Sequence, residues 1–508
     1  MRIKAYIYCY IGFYMIFSSY EEVAEMVPNV LFGRDYEKRK LTRCLEMEQA
    51  QLILVYGRRR VGKTYLIHQF FNGRFDFKLT GIYNRPKSVQ LENFSYELNR
   101  QSGKNDPVPK DWLQAFQMLR DYLSTLPEDE KCVVFLDEMP WMDSARSDLL
   151  TSFEWFWNGW GNMRSNLIVI VCGSATSWLS ENIEENKGGL FSRLSCKLYL
   201  QPFNLHETEQ FLKSRGIEWS RYDITECYMI MGGIPYYLSM LDPQMSFAQN
   251  IDNLFFRKRA ELWDEFDHLY HTLFKNSEQY IAVAEVLSQK QGGLTREEII
   301  KKTSTSGNGH LSKILKDLLD CGFVRTVPFF GKEKQNARYQ LADYYSRFYF
   351  RFVKNRHGRD EHFWSHALDL PSRHVWAGLT FEQVCLDHLS QIRQRLGISG
   401  VLSEVSTWSS PGSKEGSGAQ IDFVIDRRDH VINLCEVKYS INLFEIDRSY
   451  DLVLRNKMDL FRNETGTKKA LQMTMITTYG LRNSKYNSLI GRQVVLDDLF
   501  QPDDDTCL

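Results

Sequence analysis

The sequence predicts an α/β protein of several domains built around a phosphate-binding sheet, and three observations predict it. Residues 57–64 read Gly-Arg-Arg-Arg-Val-Gly-Lys-Thr, a complete GxxxxGK[ST] loop between the apolar run Leu52–Tyr56 and the helix-like run Tyr65–Phe71. Residues 132–138, Cys-Val-Val-Phe-Leu-Asp-Glu, are an apolar run closed by two acids. Far downstream, Gln420–Ile425 and Val431–Lys438 read as two arms of a hairpin that carries Asp422, Glu436 and Lys438.

The first element needs its context. A buried strand feeding a glycine loop that opens a helix is the arrangement a nucleoside triphosphate requires. Gly57 and Gly62 allow the turn and the close backbone approach, with Arg58, Arg59, Arg60 and Val61 between them. Lys63 places an ammonium on the β- and γ-phosphates, Thr64 offers a hydroxyl to Mg²⁺, and Tyr65 follows at the helix start. In the second element Asp137 is the expected magnesium partner, and Glu138 the group that polarises the attacking water. ATP and Mg²⁺ are the expected ligands.

Composition sets the outer bounds. At 508 residues, the chain exceeds the usual size of two domains. Its 43% hydrophobic and 25% charged content is that of a globular protein. A formal net charge of −1 gives no global attraction to nucleic acid or to anionic membrane, so such binding has to come from local patches. Ten scattered cysteines without a CxxC pair point to reduced, buried thiols and a cytoplasmic setting. Residues 5–17 are apolar but too short to span a bilayer, and no small-x-small cleavage site follows. We expect residues 1–27 to be an extension ahead of a start near Met26, and no membrane span.

Phe32-Gly33-Arg34-Asp35 opens a helix through Cys44, either as an adenine cover or simply with Asp35 as N-cap. Phe75–Gly81 reads as a second strand, and helices follow near 88–101 and 111–125. The Trp-rich 153–160 reads as a helix packed on the sheet. Asn166–Ser174 is another buried strand, with Ser174 placed either to sense the γ-phosphate or as a plain turn serine. Arg193, ahead of the strand Lys197–Leu200, reads as an arginine finger reaching a neighbouring subunit's nucleotide, or as a surface arginine. Beyond residue 203 the pattern is helical and includes the break Gly232-Gly233-Ile234-Pro235.

These boxes, in this order over residues 28–270, resemble the archaeal-type ATPases of the AAA+ superfamily, in the signal-transducing branch. The resemblance implies a P-loop AAA+ core at 28–202 and a helical lid at 203–272, with Pro235 against the nucleotide. It also implies a homo-oligomer. Tyr236 stands where such a lid carries its sensor arginine, which puts lid-driven hydrolysis in question.

Residues 273–346 read as a winged helix-turn-helix. Its helices lie over 282–287, 294–300 (capping box Thr295/Glu298) and 309–319, and its wing carries Lys332, Lys334 and Arg338. The module suits DNA backbone contact or interdomain packing. Linker helices fill 347–375. At 376–508, Glu382 on a helix over Leu379–Leu389 joins Asp422, Glu436 and Lys438, since residues two apart on a strand share a face. Two carboxylates and a lysine can hold Mg²⁺ and offset charge on a phosphodiester, with Asp422 and Glu436 as the metal ligands. The set resembles the PD-(D/E)xK nuclease motif and implies a restriction-endonuclease-like α/β domain, with DNA as a partner. The alternative is a signalling or assembly switch with a noncatalytic C-terminal binding module.

Overall fold

The structure is a computed structural model that describes residues 31–503, except 145–146, 175–177, 179–192, 275, 291, 304–307, 332–336, 357–358 and 414–415. The expected extension, and wing residues Lys332 and Lys334, lie outside the described residues.

Five parallel strands form the first sheet in the order β2-β3-β4-β1-β5. They are β1 (Gln51–Tyr56), β2 (Phe77–Thr80), β3 (Cys132–Asp137), β4 (Leu167–Gly173) and β5 (Cys196–Tyr199). The unbroken apolar runs of β1, β3 and β4 follow from burial on both faces. Alternate residues divide between two cores. Leu52, Leu54, Val134, Leu136, Val169 and Val171 face helices α3 (Lys87–Ser102), α4 (Trp112–Leu123) and α5 (Leu149–Gly159). Ile53, Val55, Phe135, Ile168 and Ile170 face α1 (Asp35–Glu46) and α2 (Lys63–Phe70). The Trp-rich run is α5, and Trp157 is buried against the sheet as expected. Asp35 does not cap α1. Arg34 holds the cap position with φ 59, and Asp35 pairs with Lys38 at 2.6 Å in the first turn.

The helical segment contains α6 (Leu205–Ser214), α7 (Arg221–Met231) and the short α8 (Pro235–Leu238). Asn204 and Glu207 close α6 with a reciprocal capping box. The turn between α7 and α8 requires glycine at Gly233, where φ is +65 and an added Cβ would lie 2.1 Å from the Phe203 carbonyl. Next come α9 (Glu261–Leu273), then α10 (Ser277–Ser288), α11 (Arg296–Thr303) and α12 (Asn308–Asp320). An antiparallel pair of strands, β6 (Val324–Val327) and β7 (Arg338–Leu341), follows. Thr295 and Glu298 exchange the two bonds of the expected capping box, at 2.8 and 3.3 Å.

The C-terminal sheet has the order β12-β11-β10-β9-β8. Its strands are β8 (Ser403–Ser413), β9 (Gly416–Arg427), β10 (Val431–Lys438), β11 (Ala470–Thr477) and β12 (Ile490–Val495). β9 and β10 are the expected hairpin, while β10, β11 and β12 run parallel. One face packs on α16 (Arg448–Thr465) through Leu454 and Phe461. The other packs on α14 (Pro371–Asp387) through Phe381, Val384 and Cys385, and α15 (Leu389–Leu396) follows α14. The Glu382 helix therefore begins earlier than the expected Leu379, because Pro371 is at home in a first helical turn.

The domains are closely joined. The run Pro328–Phe330, just after β6, exchanges two 2.9 Å backbone hydrogen bonds with Thr407 of β8. The Phe330 ring lies 4.9 Å from that of Phe461. Arg373 of α14 pairs with Glu226 of α7 at 2.7 Å, and both are buried. The eight described cysteines are buried and form no disulfide among the described residues. Among the described residues no helix is long and apolar enough to cross a membrane.

Candidate functional site

The phosphate loop is built by β1 and α2. Gly57 leaves β1 at φ 141, and an added Cβ would sit 2.4 Å from the Leu200 carbonyl oxygen, so only glycine fits. Gly62 caps α2 at φ 88. The buried Lys63 ammonium spans the loop, donating to the carbonyls of Gly57 (3.0 Å) and Arg58 (2.9 Å). Parallel pairing of β1 with β4 and of β4 with β3 brings the acids to the same edge. There the Thr64 hydroxyl donates to Asp137 at 3.0–3.1 Å. Burial pushes the Asp137 carboxyl up, and the neighbouring Glu138 charge pushes it further. Hydrogen bonds from Thr64 and Cys172 oppose both.

Glu138 sits in the left-handed region at φ 47, which turns its side chain toward β4. Its carboxylate accepts hydrogen bonds from the Ser174 N–H (3.0 Å) and the Ser174 hydroxyl. The structure therefore brings Ser174 to the second acid. Thr64 and Asp137 supply adjacent hard oxygens. This donor set fits Mg²⁺, which takes one or two protein carboxylates and completes its shell with phosphate and water.

A cavity of about 610 Å³ opens beside the loop. Its lining includes Arg59, Arg60, Val61, Gly62, Lys63, Thr64 and Tyr65, then Glu138 and Ser174, with Pro235 and Tyr236 from α8. Phe32, Arg34, Phe203, Phe211 and Arg215 close its far end. Arg34 is buried there, donating to the Val61 carbonyl (3.2 Å) and lying 4.6 Å from the Phe203 ring. Nothing in the sequence pattern singles out Phe203, Phe211 or Arg215, which lie just before, within and just after α6.

One loop residue departs from expectation. Arg58 does not line the cavity. Its buried guanidinium pairs with Asp343 at 2.6 Å and lies over the Phe323 ring. Arg60 makes two parallel bonds to Glu265 of α9, at 3.0 and 2.9 Å. Arg193 is exposed just ahead of β5 and is not part of the cavity lining.

The second constellation lies where β9 and β10 meet α14 and α16. Asp422 accepts a 2.8 Å hydrogen bond from the Val437 N–H, which pins it between the two metal-candidate strands. Glu436 is fully buried. Lys457 of α16 pairs with it at 2.6 Å, and the Tyr450 hydroxyl donates to it at 3.3 Å. Lys438 lies over the Tyr450 ring at 5.3 Å, so Glu436 and Lys438 do share a face. Tyr450, Leu454, Lys457 and Phe461 follow helical spacing on α16, but without the sheet register nothing ties Tyr450 or Lys457 to Glu436. As a pair, Asp422 and Glu436 offer oxygens suited to Mg²⁺. Glu382 does not join them as a third ligand, since among the described residues no three His, Cys, Asp or Glu groups are placed to hold a metal ion.

These acids titrate high. Glu382 is pushed up to about 8, first by burial and then by the Asp422 charge. Glu436 is pushed up to about 7 by the same causes in that order, against the pull of Lys457. The folded chain therefore keeps protons that the unfolded chain has released. Stability from these groups is full below about pH 4.5 and lost as pH rises through about 7 to 8. We expect the thermal midpoint of metal-free protein to fall between about pH 5 and about pH 8.5, with Glu382→Gln flattening the fall. A flat wild-type profile would show that these carboxyls are ionised throughout.

Residues 31–241 match the family model of an ATPase domain predominantly from Archaea. An uncharacterised protein of Methanocaldococcus jannaschii is 23% identical over 385 residues, or 75% of this chain and 82% of its own. Among solved structures, the Walker-type ATPase of Pyrococcus abyssi is 18% identical and aligns with 63% of this chain and 96% of its own, at TM-score 0.44. The ORC2 protein of Aeropyrum pernix is 15% identical, covering 72% of this chain and 96% of its own, at TM-score 0.40.

Proposed function

We propose that residues 31–241 act as a P-loop ATPase domain, a reading that the family match and the loop geometry support. We propose that nucleotide bound there, in an AAA+ arrangement closed by the lid at 203–272, controls a nucleic-acid-cleaving site at Asp422, Glu436 and Lys438. The observation that carries the second half is the 2.8 Å bond from the Val437 N–H to Asp422, which ties Asp422 of β9 to the β10 residue between Glu436 and Lys438. The segment 273–346, read as a winged helix, supplies the link. Exposed Lys313 on α12 is its DNA-facing candidate, while His310 is engaged with Gln279, and Arg338 with the Gly293 carbonyl and Glu298.

At the ATPase site, Lys63 exchanges its two loop carbonyls for phosphate oxygens. Thr64 and Asp137 hold Mg²⁺, which draws charge off the phosphates when bound. Glu138 leaves Ser174 and orients the attacking water. Arg193 completes the site of a neighbouring copy in a homo-oligomer, and ATP as substrate sets the protein in the cytoplasm. At the C-terminal site, Asp422 and Glu436 hold Mg²⁺, whose chemistry there is polarisation of a phosphodiester. Lys438 offsets charge on the phosphate, and Glu382 tunes the acids.

The test is incubation of full-length protein with plasmid DNA and Mg²⁺ or Mn²⁺, with and without ATP. Asp422→Ala is expected to abolish cleavage and to leave ATP turnover within about twofold, because the sites are chemically separate. If wild-type protein cuts no nucleic acid with any divalent ion, the second reading takes over, a nucleotide-driven assembly switch. The Lys457 ammonium on Glu436 favours that reading, since it already satisfies the buried acid.

A further inference from the structure

We propose that Arg60 is the phosphate-sensing arginine of this site, supplied in cis by the phosphate loop, and that Glu265 of α9 holds it until a triphosphate arrives. The inference rests on the ATPase reading.

Backbone, side chain and surroundings each point to it. Arg60 has φ 75, in the left-handed region where glycine is free of strain and arginine is not. A strained non-glycine residue in a ligand-binding loop signals a retained side-chain role. That side chain lines the cavity next to Lys63 and Thr64. It lies 3.9 Å from the ring of Tyr236, the residue after Pro235, where the lid lacks an arginine. The guanidinium therefore occupies the lid face of the cavity from the opposite side, from the loop itself.

Its present partner is built as a resting place. Glu265 is buried, meets Arg60 through both oxygens, and accepts a 3.3 Å bond from the Tyr237 hydroxyl. A carboxylate so placed needs a cation. A triphosphate delivers several negative charges to the same cavity and offers pairs of phosphate oxygens to the planar, two-pronged guanidinium. Arg60 then swings from Glu265 to the terminal phosphate, and Glu265 is left buried without its cation. Helix α9 must shift to return that carboxylate to water.

The shift has somewhere to go. Tyr270 of α9 is hydrogen-bonded to Ser346 at 3.1 Å, and the Tyr345 hydroxyl donates to the Leu262 carbonyl at 2.6 Å. Both serve the short helix Tyr344–Phe348, which is capped by Asp343, the partner of Arg58. Two arginines of one loop thus grip one downstream unit. Arg58 is a fixed anchor, outside the cavity, and Arg60 is the switching contact.

The experiment measures ATP and ADP dissociation constants for full-length protein in a Glu138→Gln background that keeps ATP intact. Hydrogen exchange is followed over residues 261–273. Arg60→Gly, which relieves the left-handed strain, is expected to lower the preference for ATP over ADP by ~10-fold or more and to leave ADP affinity within about twofold. Glu265→Gln is expected to tighten ATP binding and to raise exchange in 261–273 of the nucleotide-free protein to the ATP-bound level. If Arg60→Gly retains the wild-type ATP/ADP ratio while its thermal midpoint drops, Arg60 is only a strut and the proposal fails. It fails equally if Glu265→Gln weakens ATP as Arg60→Gly does. Absence of ATP binding in the background protein itself would instead overturn the ATPase reading.

Discussion

Lys63→Ala is expected to weaken ATP binding by ~10²-fold or more, the value of about two charge-assisted hydrogen bonds to phosphate. The ammonium is already placed for the task, buried across the loop mouth on the carbonyls of Gly57 and Arg58. Alanine removes the charge and also leaves those two carbonyls without their donor, so the loop loses its internal brace. Equilibrium binding of labelled ATP reads the effect, with circular dichroism confirming the fold. Wild-type affinity in the variant would mean that the loop does not hold the phosphates.

Glu138→Gln has the second large effect, and it falls on turnover alone. The amide oxygen can still accept from the Ser174 N–H, and the amide NH2 can donate to the Ser174 hydroxyl, so the left-handed turn at Glu138 and the Thr64–Asp137 contact stay intact. What disappears is the basic carboxylate that orients and deprotonates water. Loss of a positioned general base costs ~10²–10⁴-fold. Phosphate release is expected to drop by that factor at unchanged ATP affinity. Unchanged turnover would reduce Glu138 to a solvated neighbour of Asp137.

Much of this was legible in the chain because the signals were local. The loop at 57–64, the acid-capped β3 and the hairpin at 420–438 each announce themselves by spacing and burial pattern, and each appears in the structure, the hairpin's first arm starting earlier, at Gly416. The Thr295/Glu298 capping box was legible for the same reason. What escaped depends on distant parts of the chain. Glu265 lies 205 residues from Arg60, and Asp343 lies 285 residues from Arg58. Lys457 reaches Glu436 only because α16 packs across the sheet. Arg58 read as a cavity residue because loop position alone says nothing about which way a long side chain turns. Asp35 read as a cap because aspartate is a good one, yet the residue before it took the position.

One apolar core runs from the lower face of the ATPase sheet through α7 and α9 to the α14 side of the C-terminal sheet, taking in Ile53, Met229, Phe266, Phe381 and Cys435. Around it, the Leu205 N–H donates to His388 at 2.9 Å, and Arg373 meets Glu226. This constrains how the chain can be inherited or engineered. A fragment beginning near residue 376 would carry Phe381, Val384 and Cys385 with much of their cover removed. The C-terminal region is therefore poor material for transplantation into another protein or for study by dissection. Recombination at the boundary would have to carry lid residues with it, and substitutions on α7 and α14 should covary among descendants as if they belonged to one domain.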